Sequence, residues 1–421
     1  MKTLLRLSCS IGLLILLAGC GGTPALPATP EPVSVSTSSP SPTLPPATPS
    51  SAAGETRLLR LWLPPQFDPS ADTPAGRLLQ ARLDEFEARR PGLQVEVRIK
   101  AASGPNGLVE NLSAAYAAAP AILPDLVALS RADLEAAAFE GLLHPLDGLT
   151  LALNGPDWYP YARQLAQIQN TTFGLPFAGD LLVLAGYADP LPARWAALED
   201  KTYLFAAADP QASFGLAMYL SSGASLTDVQ GQPHLDEDAL ESVLSFYARS
   251  VAEENLSSTV LAYGDNSAVW KALEEQHANL GVVWTDEHLQ EKPAAILVAP
   301  LPGLGETSMT LARGSVWALA GSRPENQALA VELAEFLSEG EFLAEWSQAA
   351  GVLPPRPTAL AAWQDPPLRA ALEEISASAR LLPPNELIMI VGIPFQQAIQ
   401  AVLSGEALPA QAARTAAEQV K

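Results

Sequence analysis

The sequence predicts an α/β fold. Three observations carry that prediction: short apolar runs of strand character alternate with stretches of helical spacing, prolines and glycines punctuate the changeovers, and 48% of the residues are hydrophobic. Arg57–Leu63, RLLRLWL, reads as a strand that breaks at Pro64-Pro65. Gly76–Arg90 then sets Leu78, Leu79, Leu83 and Phe86 at helical spacing, and Pro91-Gly92 stops that helix before the alternating strand Leu93–Ile99. Together these make a β-α-β unit. A helix over Leu108–Ala118 leads through Pro120 and Pro124 into Asp125–Leu129, DLVAL, whose unbroken apolar character is that of a parallel-sheet strand. Ser130 is placed to cap the next helix, with Asp133 three residues on as a variant of the capping box and Leu134, Ala138 and Leu142 on its inner face. DEDALE, residues 236–241, reads as a helix start favoured by the helix dipole.

The N-terminus carries targeting information. Lys2 and Arg6 give a positive start, and Leu4–Ala18 is apolar but too short and too interrupted for a membrane span. Leu17-Ala18-Gly19-Cys20 closes it with the pattern of a bacterial lipobox, so residues 1–19 are expected to be a signal peptide and Cys20 the lipidated first residue. Cys9 leaves with the signal, and no pair of thiols remains for a disulfide. Residues 23–54 are rich in Pro, Ser and Thr and cannot bury enough surface to offset ordering. Residues 20–54 therefore form a tether, reaching on the order of 100 Å at about 3.1 Å per residue.

Composition narrows the function classes. The net charge is −22, moving to −24 once Lys2 and Arg6 are removed, which excludes a phosphate-binding surface and hence nucleic acid as a partner. Residues 55–421 suffice for two ordinary domains, with no internal repeat and no second membrane segment. His144, His234, His277 and His288 lack metal-binding spacing and read as residues of surface helices. Neither G-x-S-x-G nor G-x-x-x-x-G-K-[ST] occurs. No catalytic residue, metal or cofactor is expected.

The order of motifs resembles that of extracellular solute-binding proteins of the family 1 type, the sugar receptors of ATP-binding cassette importers. The resemblance begins with RLLRLWL, FEARRPGLQVEV and LPDLVALSRADLEAAAFEGLLHPLDGL, and continues with FGLPFAGDLLVL at 173–184, a P-x-x-W-x-x-L segment at Pro192–Leu198 and ANLGVVWTDEHL at 278–289. It closes with VAPLPG, GSVWALAGSRPENQALAVELAEFL and EWSQAAGVLPPRPTAL within 298–360, so that nearly all of 57–405 is covered. One departure is the short AGYADPLPARW after Leu184, where the family has a longer turn and helix. The resemblance implies a two-lobed periplasmic-binding-protein-like fold of type II, each lobe a mainly parallel sheet flanked by helices and joined by hinge strands. Lobe 1 is then 55–178 plus 310–350, and lobe 2 is 179–309 plus 351–421. It further implies a small-molecule ligand, a sugar, held in the cleft of a monomer. The permease subunits of an importer would be its partners, at the outer face of the cytoplasmic membrane.

Sugars present hydroxyl edges and apolar ring faces, so aromatic platforms and fixed polar groups are the side chains to seek. Trp284, ending GVVW, is the first platform candidate and Trp317, in GSVW, the second; the alternative for either indole is core packing. Replacing Trp284 with alanine is expected to abolish binding with little change in fold. Asp180, in PFAGD, is nominated as a hydroxyl acceptor with Phe177 beside it. Gly314 and Ser315 permit close approach, or simply start a strand. Trp62 ends the first strand, where open α/β sheets bind ligands. Arg356 is a candidate for hydroxyls or an anion, or for a salt bridge across the hinge, and Phe214 for a further ring. Trp158-Tyr159, between Pro156 and Pro160, reads as an exposed-looking aromatic pair suited either to packing or to lining the cleft. Two rival readings remain: a glycan hydrolase built on two facing carboxylates, and a lipoprotein with a degenerate cleft used for docking or sensing.

Overall fold

Among the described residues there are eleven strands: β1 (Arg57–Leu63), β2 (Leu93–Ile99), β3 (Leu126–Ser130), β4 (Gln167–Ile168), β5 (Thr171–Thr172), β6 (Gly174–Gly186), β7 (Tyr203–Leu204), β8 (Leu280–Trp284), β9 (Leu297–Ala299), β10 (Thr310–Leu319) and β11 (Ala379–Leu381). The computed structural model describes residues 56–187, 189–198, 201–305, 308–321 and 323–420; the expected signal peptide, Cys20 and the tether lie outside the described residues. Nine strands form one sheet in the order β2-β1-β3-β10-β6-β8-β7, with β11 on β10 and β9 on β6. β4 and β5 pair separately.

β1 pairs in parallel with both β2 and β3, as the β-α-β reading requires. β10 runs antiparallel to β3 and to β6, and β6 runs antiparallel to β8 and β9. The expected parallel character is therefore clear on the β2-β1-β3 side, whereas β6, β8 and β9 pair antiparallel and only β7 adds a parallel pair, with β8.

Side-chain alternation sorts the strands' residues onto two covered faces. Leu59, Leu61, Leu63, Phe177 and Trp317 pack with Leu79, Leu83, Phe86 and Trp346 on one side. Trp62, Val127, Leu129, Val316 and Ala318 pack with Leu108, Leu112 and Leu134 on the other. A third and larger cluster gathers β8, the second half of β6 and the helices Glu237–Ala252, Asn385–Leu403 and Pro409–Gln419.

The helices follow their signals. Pro74–Ala88 and Leu108–Ala118 stand where spacing placed them, and Glu237–Ala252 opens on Asp236, whose side chain accepts from Ala239 N at 2.8 Å. Ser130 caps Arg131–Phe139, accepting from Asp133 N at 3.2 Å and donating to Asp133 Oδ2 at 2.7 Å. Two expectations are corrected. Trp158 and Tyr159 are buried rather than exposed, which is the packing alternative, and Trp158 Nε1 donates to Ala152 O at 2.9 Å. His288 is also buried, its Nε2 2.8 Å from Ile296 O, and burial holds its pKa below the ordinary imidazole value. The helix Asn385–Leu403 is long and apolar enough to cross a membrane, a segment that the sequence reading does not single out. Its Ile388, Val391, Phe395, Ala398, Ile399 and Val402 are packed into the large cluster, which is how a core helix passes the same test.

Candidate functional site

A cavity of about 480 Å³ opens where β6 and β10 lie side by side, within the size range of small-molecule pockets. Its floor is Gly179-Asp180 of β6 and Arg313-Gly314-Ser315 of β10. Its walls come from segments just beyond strand ends: Gln66 and Phe67 after β1, Ser130 and Arg131 at the end of β3, and Asp286 and Gln290 after β8. Open α/β sheets bind ligands at such carboxyl ends, because chain reversals there leave backbone and side-chain polar groups facing one crevice. Gln211, Leu382, Asn385 and Ile388 close the remaining side.

Asp180 and Arg313 are partners across the two strands, and Arg313 Nε donates to Asp180 Oδ2 at 2.7 Å. The other oxygen, Oδ1, accepts from Thr285 Oγ1 at 2.9 Å and from Asp286 N at 3.1 Å. Arg313 also reaches Asp286 Oδ2 at 3.4 Å, and its guanidinium lies 4.2 Å from the centre of the Trp284 ring. The Asn266 side chain lies against Trp284: with its amide NH2 turned toward Val282 O it donates there at 3.0 Å, and its oxygen accepts from Trp284 Nε1 at 3.2 Å. Two carboxylates thus share one guanidinium on an aromatic base. On the opposite wall Arg131 is fully engaged, donating to Glu135 Oε1 at 2.6 Å and to the carbonyls of Gln164, Leu165 and Gln167. Glu135 Oε2 accepts from Asn385 N at 2.7 Å, tying that wall to the start of the long C-terminal helix.

Burial, and after it the Asp180 carboxylate, push the Asp286 carboxyl up to about 7 against the pull of Arg313. An acid raised in the folded state binds a proton there that the unfolded chain releases near pH 4, so its cost to stability is fully present above about pH 7 and fades as pH falls towards 4. Asp286→Asn is therefore expected to raise the thermal midpoint at about pH 8 and to leave it close to the parent's at about pH 4. An equal gain at both pH values would contradict the assignment.

The structure brings Asp180, Gly314 and Ser315 to the cavity, and places Trp284 in the wall of an adjoining chamber. Trp284 is only 2% exposed, so truncating it removes packing as well as a site wall, contrary to the expectation of an unperturbed fold. Five other candidates do not line the cavity. Trp317 and Phe177 stack on each other at 4.1 Å in the core. Trp62 faces the Leu108–Leu112 side of the sheet. Phe214 packs at 5.0 Å on Phe205. Arg356 donates to Ser338 O at 2.7 Å and to Asp157 Oδ2 at 3.4 Å, with its guanidinium over Trp158, so the salt-bridge alternative describes it. Gly314 owes its identity to strand contact, since a Cβ there would strike Ala178 O and Leu165. Arg313, Asp286, Gln66 and Gln211 escaped the sequence reading. The signal available was adjacency: Arg313 precedes Gly314, and Asp286 follows Trp284 by two residues. Among the described residues no three His, Cys, Asp or Glu side chains converge as a metal site.

No curated protein matches the chain by sequence. Solved structures share its fold. MalE, the sugar-binding protein of Xanthomonas citri, superposes with a TM-score of 0.71 at 18% identity, covering 86% of this chain and 96% of that one. Maltose-bound MalE3 of T. maritima gives 0.65 at 18% identity, covering 86% and 98%. The cyclic alpha-maltosyl-1,6-maltose binding protein of Arthrobacter globiformis gives 0.69 at 18% identity, covering 86% and 97%. These are two-lobed binding proteins of the maltose-binding type, the fold expected from the motif order. A family model described as bacterial extracellular solute-binding protein matches residues 81–371, more than half the chain. With that match and the cleft between crossing strands, the chain belongs to the family of bacterial extracellular solute-binding proteins.

Proposed function

We propose that this protein is a lipid-anchored receptor that captures a carbohydrate between two lobes, 55–178 plus 310–350 and 179–309 plus 351–421, and delivers it to the permease of an ATP-binding cassette importer. The observation that carries the reading is the cavity itself, about 480 Å³ and lined by Asp180, Asp286, Arg313, Ser315, Gln66 and Gln211. Carboxylates, amides, a hydroxyl and a guanidinium at fixed positions suit a ligand covered in hydroxyl groups. The maltose-bound neighbour and the neighbour that binds cyclic alpha-maltosyl-1,6-maltose support the same ligand class.

Closure follows from the location of the site at the proposed lobe boundaries, one of which crosses β6 after residue 178 while another falls at the start of β10. A ligand that touches both sides gains contacts only in the closed state, and the open–closed equilibrium shifts by that difference in affinity. Lipid on Cys20 and the 20–54 tether would hold the monomeric receptor at the outer face of the membrane, raising its concentration beside the permease. The protein acts by binding, without turnover. Thermal unfolding against neutral and aminated sugars, polyamines and amino acids tests this. A ligand at about 100 times its dissociation constant adds roughly 2.7 kcal/mol, which raises the midpoint visibly. A concentration-dependent rise with a sugar that is recovered intact is the expected result. A response confined to another class, or consumption of the sugar, would overturn it.

A further inference from the structure

Glu135 joins two helices that are packed into different apolar clusters. Its own helix, Arg131–Phe139, sends Leu134 and Ala137 into the cluster of Trp62 and Val127, whereas the helix Asn385–Leu403 sends Ile388, Val391 and Phe395 into the large cluster that holds β8. In the lobe assignment above, the first belongs to 55–178 and the second to 351–421. Between them Asn385 N donates to Glu135 Oε2 at 2.7 Å, while Glu135 Oε1 accepts from Arg131 Nε at 2.6 Å. Arg131 is fixed in turn to its own half by the carbonyls of Gln164, Leu165 and Gln167. A carboxylate only 5% exposed is therefore held firmly from one side and offers its second oxygen to the other.

The sequence around Asn385 explains why its N–H turns to a distant partner. LLPPNEL, residues 381–387, places Pro384 at the N-cap, and proline has no side-chain oxygen to accept from the first turn. The start of a 19-residue helix thus lacks a local cap, and Glu135 supplies one, its negative charge meeting the positive end of the helix dipole. The contact borders the ligand cavity. Arg131 and Asn385 line it from two different walls, and Glu135 is not among the described residues that do.

We propose that Glu135 is a positioning residue that latches the two lobes: it touches no ligand, and its bond to the C-terminal helix forms only when the lobes are together, so it favours the closed state. This rests on the two-lobed receptor reading above and adds to it a residue outside the cavity that sets the receptor's affinity. A ligand that binds the closed form has an apparent affinity scaled by the fraction of molecules already closed, so a contact that raises that fraction tightens binding without entering the site.

Small-angle X-ray scattering of the full chain, paired with thermal unfolding, separates a latch from an ordinary helix cap. Glu135→Ala is expected to lower the thermal midpoint and to enlarge the radius of gyration. Adding Pro384→Ser gives the helix a cap of its own. The midpoint should then recover while the radius stays enlarged, because a local hydroxyl restores the first turn and nothing across the cleft. Asn385→Pro removes the same bond from the other side: proline suits the first position of a helix and has no N–H, so the radius should grow with the Glu135 side chain left in place. That variant keeps the test open if the alanine variant does not fold. A radius unchanged from the parent's in either single variant, or one that returns to the parent's when Pro384→Ser is added, would overturn the latch. Neither result touches the receptor reading, which stands or falls on whether a sugar raises the thermal midpoint of the parent chain.

Discussion

Truncating Trp317 to alanine is expected to destabilise the fold by about 4 kcal/mol, in the upper range for loss of a buried aromatic. Trp317 is 1% exposed and lies 4.1 Å from Phe177, whose other edge meets Phe67 at 5.2 Å and Trp346 at 5.8 Å. Four rings interlock there, and neighbours this large cannot collapse into the space left by an indole. Denaturant titration followed by circular dichroism measures the loss. Trp317→Phe separates core from site: the indole Nε1 has no hydrogen-bond partner among the described residues, so phenylalanine forfeits volume and no bond. Ligand affinity should then match the parent's. Affinity falling while stability holds would move Trp317 into the site.

Arg313→Met is expected to cost about 3 kcal/mol of stability and to lower ligand affinity by roughly two orders of magnitude. The variant strands Asp180, whose side chain is 10% exposed, without its cation. Breaking a buried pair from one side typically costs about 3–5 kcal/mol. The low end applies here, because the Arg313 side chain is 41% exposed and Asp180 keeps the Thr285 hydroxyl and the Asp286 amide. Adding Asp180→Asn to Arg313→Met should recover most of the stability and none of the affinity, since the buried charge is gone while the cleft still lacks its guanidinium. A single-variant loss below about 1 kcal/mol would mean that solvent screens this pair like any surface ion pair.

The contrast between Asp180 and Trp317 shows how far the sequence could be read. Both follow family motifs on the two crossing strands, and both are equally conspicuous in one dimension. The pairing of β6 with β10 shifts register between Ser315 and Val316, at the step from cavity-lining Gly314-Ser315 to core-facing Val316-Trp317. Such an irregularity re-aims side chains, and it depends on a partner strand more than a hundred residues away. Arg313 is illegible in the sequence for the same reason: beside Gly314 it is one more cation, and only the opposing strand sets Asp180 2.7 Å from it.

By itself the sequence determined the local elements, the α/β class and the family. Helical spacing, the cap at Ser130 and the proline stops act over a few residues, and their physics is complete within that range. Tertiary structure alone decided which aromatic rings became core and which carboxylates came to share Arg313. Those outcomes depend on distances between strands and helices remote in sequence, and Coulomb and desolvation energies follow those distances rather than spacing along the chain.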